Sequence, residues 1–390
     1  MEAQGRPEVA PEALMRAERR RLDALTGLRA LAAGWVVLVH YRERLVEGIP
    51  GAEHLEPLMR FGYLGVDVFF VLSGFILAYT YSATFDGGVT GTTYRRFLKL
   101  RLARIYPVHL LTLHAQVALV LAAGLIGIGY EAPGVLFTFR TYVENLALVH
   151  VWFTHEPSWN IPAWSISAEW FAYLLFPFGA VWLASYKRRW ISFAGAAGCF
   201  AILLAAFTTW FSHTELPGPG ALTRIACEFA AGCFLYRIYR DFPWPRIGHI
   251  ALPAAILIVA SPWLTGSDYR YHEAIMWSPL FGLLILGLAY NRGPVAALLR
   301  LPWTVFWGEA SYSLYMTHEL LLQVFNKLVP ASPLSGPGPA GILACTLLLA
   351  AALGVAAATY LLIERPARAW LRRASLPRRG VAPGSGEPVG

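Results

Sequence analysis

Residues 28–41 read LRALAAGWVVLVHY, an apolar run that holds one permanent cation, Arg29, and one titratable imidazole, His40. The run belongs to an apolar window over about residues 24–46, close to the ~20 residues a helix needs to cross a bilayer. Eleven positions at about 100° each make three turns plus roughly 20°, so Arg29 and His40 share one helix face, about 16 Å apart along the axis. The window therefore reads as a membrane-spanning helix with a polar track along one side.

Outward from this stretch, the composition points the same way. The chain has 390 residues, of which 56% are hydrophobic and 14% charged, with a positive mean hydropathy. That balance excludes a soluble globular domain and predicts an all-α, polytopic transmembrane helical bundle. Further windows fall at about 61–81, 106–129, 163–184, 190–211, 220–238, 248–264, 272–290, 303–326 and 339–363, about ten spans in all. The net charge of +8 is concentrated in short basic segments between them, such as RAERRR, RRFLKLRLAR, SYKRRW and ERPARAWLRR. The positive-inside rule places those segments, and hence both termini, in the cytoplasm. Clustered this way, the charge argues against nucleic acid as a partner and for the lipid bilayer.

The expected organisation is a disordered cytoplasmic tail over 1–20, one membrane domain over 21–372, and a second disordered tail over 373–390. The polar N-terminus lacks the short hydrophobic core and cleavage site of a signal peptide. Residues 141–153 are too short to span, and are expected to lie in or re-enter the outer interface. Cys199, Cys227, Cys233 and Cys345 all fall within apolar runs, without CxxC spacing, and read as small buried hydrophobes. No internal repeat is evident.

Polar groups inside spans are costly, and they usually face the bundle interior for a reason. The alternation of spans puts Arg29 near the cytoplasmic face and His40 in the outer half. Glu169, in WSISAEWFAY, and His318, in SYSLYMTHELLL, fall at a similar depth, so the three ionisable groups His40, Glu169 and His318 converge on one layer. Ser73 lies nearer the midplane. Ser165, Glu169 and Tyr173 form an i, i+4, i+8 stripe from which a carboxylate could orient an imidazole. Each residue also has a plainer reading. His40 or His318 could be a packed core histidine, and Arg29 could snorkel to the interface. His109 and His114, about 140° apart on a helix, share no face and suggest no metal. Arg95, Arg96, Lys99, Arg101 and Arg104 serve equally as a topology signal and as an anion cradle for phosphates. Gly65 and Gly74 read as close-packing positions.

Six segments in order, LDALTGLRALAAGWVVLVHY, GYLGVDVFFVLSGFIL, RLARIYPVHLL, WSISAEWFAY, SYSLYMTHELLL and YLLIERPAR, make the chain similar to the acyltransferase 3 family of integral membrane acyltransferases over about residues 21–372. The resemblance implies about ten helices and an acyl-CoA donor reached from the cytoplasm. It also implies transfer of an acetyl or other short acyl group to a hydroxyl on a carbohydrate or related acceptor. The family's essential first-helix histidine maps to His40, its first-helix arginine to Arg29, and its basic motif before the third helix to Arg101 and Arg104. The chain resembles the stand-alone branch, without a periplasmic SGNH domain. That branch acylates surface polysaccharides, nodulation factors, periplasmic glucans or macrolides.

The expectation is an O-acyltransferase of the cell membrane with acyl-CoA as donor substrate, no tightly bound cofactor and no metal. His40, Glu169 and His318 are its candidate catalytic residues, and Arg29, Ser73, Arg101 and Arg104 its candidate substrate-binding residues. The rival reading is a transporter or exporter that uses the same buried groups as a proton relay. Its weakness is the lack of inverted repeats and paired broken helices.

Overall fold

The computed structural model describes residues 11–127, 129, 133–153, 158–210, 218–266, 275–328 and 336–374. Among these residues, ten helices carry the fold. They are α1 (Pro11–Gly48), α2 (Gly65–Phe85), α3 (Gly91–Leu125), α4 (Ala163–Ser185), α5 (Trp190–Thr209), α6 (Pro219–Asp241), α7 (Ala251–Thr265), α8 (Ser278–Ala289), α9 (Pro302–Leu328) and α10 (Pro339–Thr359). The chain is all-α, with no strand among the described residues. This suits a hydrocarbon solvent, in which each backbone N–H and C=O must be paired within its own segment.

Among the described residues, seven segments are long and apolar enough to cross a membrane, and they comprise α1 from Leu22 onward, α2, α3, α4, α5, α7 and α10. The other three long helices fail that test for visible reasons. α8 has only 12 residues. α6 and α9 are long but polar, and their polar groups point inward: Arg224 and Glu228 on α6 and Ser311, Ser313 and His318 on α9 are buried. These two helices are wrapped by protein. α6 packs most extensively on α2 and α5, and α9 on α1 and α10.

Contacts between helices fix their directions. Arg29 meets Gly308, His40 meets Glu319 and Arg44 meets Asn326, so α1 and α9 run parallel. Ile105 with Tyr312 and Gln116 with Gln323 show that α3 runs the same way. Asp67 with Arg224 and Ser82 with Tyr236 make α2 and α6 parallel, and Ser73 with Glu169 and Phe85 with Phe176 add α4. The two sets oppose each other, because Gly62 packs on Trp35 and Gly65 on Ala32. Close approach depends on glycine at these crossings. A Cβ on Gly74 would land on the Phe229 carbonyl oxygen, and one on Gly232 on that of Val71, so α2 and α6 touch backbone to backbone.

Three expectations change. The stretch 11–20, expected to be disordered, is helical backbone at the start of α1; residues 1–10 and 375–390 lie outside the described residues. The segment RRFLKLRLAR is not a loop. A Thr90–Thr93 capping box starts α3 fifteen residues before the apolar window, so Arg95 to Arg104 ride on its first turns. The tenth helix ends in a π-turn over Tyr360–Glu364, followed by a short helix, α11 (Arg365–Ala374).

Residues 141–153 form two short helical pieces, Phe139–Leu146 and His150–Phe153, joined through Leu148 at φ 58. Phe139 and Phe153 are exposed, while Thr141, Asn145 and His150 are buried. The segment that follows is tied to the bundle through Asn160, whose Nδ2 donates to the Met316 carbonyl on α9 at 3.0 Å.

Candidate functional site

The parallel packing of α1 on α9 sets the first cluster. Arg29 to His40 and Gly308 to Glu319 are both eleven-residue steps, so equal rise along two parallel helices brings both ends of the polar track into contact with α9. His40 Nδ1 lies 2.9 Å from Glu319 Oε2. An ionised carboxylate only accepts, so Nδ1 carries the proton and donates, leaving Nε2 as the basic atom. The side chain of His40 is 28% exposed and that of Glu319 12%, so a substrate can reach the pair.

His318 abuts His40 edge-on, with ring centroids 4.8 Å apart. It is fully buried, and its Nδ1 donates to the Tyr315 carbonyl at 2.7 Å. Its Nε2 has no hydrogen-bond partner among the described residues. The Tyr41 hydroxyl donates to the His318 carbonyl at 2.9 Å, which fixes α1 against α9 at this level.

One turn or two toward the start of α9 lies a second cluster, around a cavity of about 40 Å³ lined by Arg29, Ser73, Arg104, Ser165, Glu169 and Tyr315, among others. That volume holds a few atoms of a narrow group and no more. Ser73 Oγ donates to Glu169 Oε1 at 2.5 Å. Arg29 Nε donates to the Gly308 carbonyl at 3.2 Å, and its guanidinium lies 5.3 Å from the centroid of the Phe69 ring. Two guanidiniums against one carboxylate make this cavity suited to an anionic or strongly dipolar guest. The clusters meet through aromatic rings. Phe69 and Tyr315 are 6.2 Å apart, and Tyr315 and His318 are 5.9 Å apart.

The sequence-derived site residues therefore divide. His40 and His318 come together. Glu169 does not join them: the carboxylate on His40 is Glu319, and Glu169 sits with Ser73, Arg29 and Arg104. The physical reason is lateral position, since α4 meets α2 at this depth and α9 takes the place beside His40. Arg101 stands apart from Arg104. Its Nη2 donates to the Tyr81 hydroxyl at 2.7 Å, in a nest of Tyr81, Phe97 and Tyr173 rings. Ser165 donates to or accepts from Tyr315 at 2.7 Å.

Two residues escaped sequence reasoning. Glu319 follows His318 directly, and adjacent helical residues do not face the same way, so nothing in the spacing singled it out. Glu364, in the π-turn, accepts from Ser313 at 2.7 Å and from Arg368 at 3.4 Å, and π-turns interrupt the periodicity on which spacing arguments rest. The ligand atoms of His40, His318 and Glu319 all lie within 4.8 Å of one another, an imidazole–imidazole–carboxylate set of a kind zinc accepts. As arranged, the carboxylate is taken up by His40 Nδ1.

Comparison with known proteins adds a likeness over almost the whole bundle. The acyltransferase 3 model, an acyltransferase domain, matches residues 22–361. The chain is 30% identical to acyltransferase MdmB of Streptomyces mycarofaciens, covering 79% of this chain and 81% of that protein. It is 28% identical to exopolysaccharide production protein ExoZ of Rhizobium meliloti, covering 78% and 89%. It is 24% identical to nodulation protein 10 of Rhizobium leguminosarum bv. viciae, covering 66% and 71%. No solved structure matches.

Proposed function

The chain belongs to the acyltransferase 3 family and is a multi-pass membrane acyltransferase, and from that premise we propose the following reaction. The enzyme moves an acetyl or other short acyl group from acyl-CoA to a hydroxyl of a carbohydrate or macrolide-like acceptor at the cell membrane. The donor is a substrate, and no tightly bound cofactor takes part. The observation that carries this reading is the His40–Glu319 pair, which leaves one imidazole nitrogen basic, partly exposed and held in orientation.

The acceptor hydroxyl donates to His40 Nε2. As its oxygen attacks the thioester carbonyl, His40 takes the proton, and Glu319 stabilises the imidazolium through Nδ1–H. The new C–O bond forms, the tetrahedral adduct collapses with loss of the C–S bond, and His40 returns the proton to the departing thiolate. Arg29 and Arg104, with Ser73 and Glu169, line the route by which the donor's arm approaches, and Arg101 adds positive charge beside it. The name of exopolysaccharide production protein ExoZ supports polysaccharides as the acceptor class to try first, with macrolides, which the family resemblance implies, as the second.

The test uses purified protein in detergent with labelled acetyl-CoA and a panel of carbohydrate and macrolide acceptors. Without compartments, transport cannot be mistaken for chemistry. Wild type is expected to yield labelled ester and His40→Ala to lose on the order of 10²–10⁴-fold in rate, with donor binding retained. Full activity in His40→Ala would remove this histidine from the mechanism.

A further inference from the structure

A groove between α4 and α6, away from both clusters, has two chemically distinct parts. The first is an apolar trench of about 210 Å³, walled by Phe171, Leu175 and Trp182 of α4 and by Ala226, Phe229 and Phe234 of α6. Small residues, Gly179 on one side and Ala226 and Ala230 on the other, leave the space. It opens to the bundle's outer surface, where Leu175, Phe178 and Trp182 are exposed. The second part is a polar pocket of about 220 Å³, lined by Ser82, Asp86, Tyr236, Arg237 and Arg240. Leu183 lines both, so trench and pocket lie side by side.

The polar end is rich in cations. Arg237 is buried, 6% exposed, with its Nε lacking a hydrogen-bond partner among the described residues. Its Nη2 donates to the Tyr186 carbonyl and lies 3.3 Å from Asp241. Arg240 leans on the same carboxylate at 2.9 Å, so one acid serves two guanidiniums. Exposed Lys187, Arg188 and Arg189 follow directly after α4, and Arg189 lies over Phe242, which brings that basic run to the end of α6. Asp86 and Asp241 balance Arg237 and Arg240 in number, and the neighbouring Lys187, Arg188 and Arg189 make the region net positive. A trench for hydrocarbon beside such a basic region matches one class of molecule in a bilayer, a lipid with an anionic head.

We propose that the α4–α6 groove binds an anionic phospholipid, with an acyl chain in the trench and the phosphate on Arg237 and Arg240. The acyltransfer chemistry plays no part in this assignment. Trp182, exposed on the trench wall one turn from Tyr186, suits the interfacial level of such a lipid.

The experiment is native mass spectrometry of the full chain released from nanodiscs of equal phosphatidylglycerol and phosphatidylcholine with identical chains. Phosphatidylglycerol is expected to be retained preferentially. Arg240→Gln, at a half-exposed position, is expected to lower its retention about five-fold, the effect of one basic residue at an anionic surface, without altering phosphatidylcholine. Gly179→Phe fills the trench from a position where a Cβ meets no atom within 4 Å. Phosphatidylglycerol retention should fall in that variant, and millimolar inorganic phosphate or glycerophosphate should not displace the lipid. Equal retention of the two lipids, unchanged retention in Gly179→Phe, or displacement by free phosphate would each overturn the assignment, the last by reducing the site to an anion pocket.

Discussion

At the scale of single residues, the centre is a division of labour within one imidazole. Nδ1 of His40 is committed to Glu319, and Nε2 is the atom that the proposed mechanism uses as base. If Glu319 holds the tautomer and stabilises the imidazolium, Glu319→Gln should reduce kcat by about 10² or more while the KM for acyl-CoA stays near that of wild type. Steady-state kinetics at varied donor concentration would reveal the split, and a change confined to KM would make Glu319 a binding residue. The same side chains could gather a zinc ion, so a chelator provides an independent check. The proposed base mechanism predicts that EDTA-treated, metal-free enzyme retains its rate, and loss of activity with recovery on adding zinc would replace general base catalysis by metal catalysis.

Between elements, the main device is a buried ion pair that joins α2 to α6. Arg224 Nε donates to Asp67 at 3.1 Å and Nη2 to the other carboxylate oxygen, with both side chains essentially unexposed. Ser278 of α8 donates to Glu228 beside it. Removing one partner strands a charge in the protein interior, whereas removing both does not. Asp67→Leu or Arg224→Met alone should therefore destabilise the detergent-solubilised protein by about 3–5 kcal/mol, and the double substitution should recover most of that loss. Thermal unfolding of the three variants would decide it, and additive losses would show that the pair is not coupled. This pair also accounts for the charges in the middle of α6: Arg224 and Glu228 are buried against α2 and α8, inside the protein.

For the whole molecule, α1, α3 and α9 run one way and α2, α4 and α6 the other, the alternation expected when each helix crosses the membrane in turn. Reporter fusions after residues 88, 187 and 243 should accordingly give cytoplasmic signals, and a fusion after 51 an external one; a reproducible inversion at any of them would break the proposed orientation. The sequence by itself determined the helical membrane class, the places of most windows and the shared helix face of Arg29 and His40, because hydrocarbon burial and helical spacing are local properties that a linear pattern records. It also picked out Glu169 and His318 as polar groups within spans, but not their partners. Only the tertiary structure decided that Glu319 is the carboxylate on His40, that Glu169 belongs with Ser73, and that Arg101 and Arg104 part company on α3. Depth along an axis follows from counting residues, but which helix stands beside which depends on side-chain packing between segments 96 to 279 residues apart, and a single chain's spacing holds no record of that lateral arrangement.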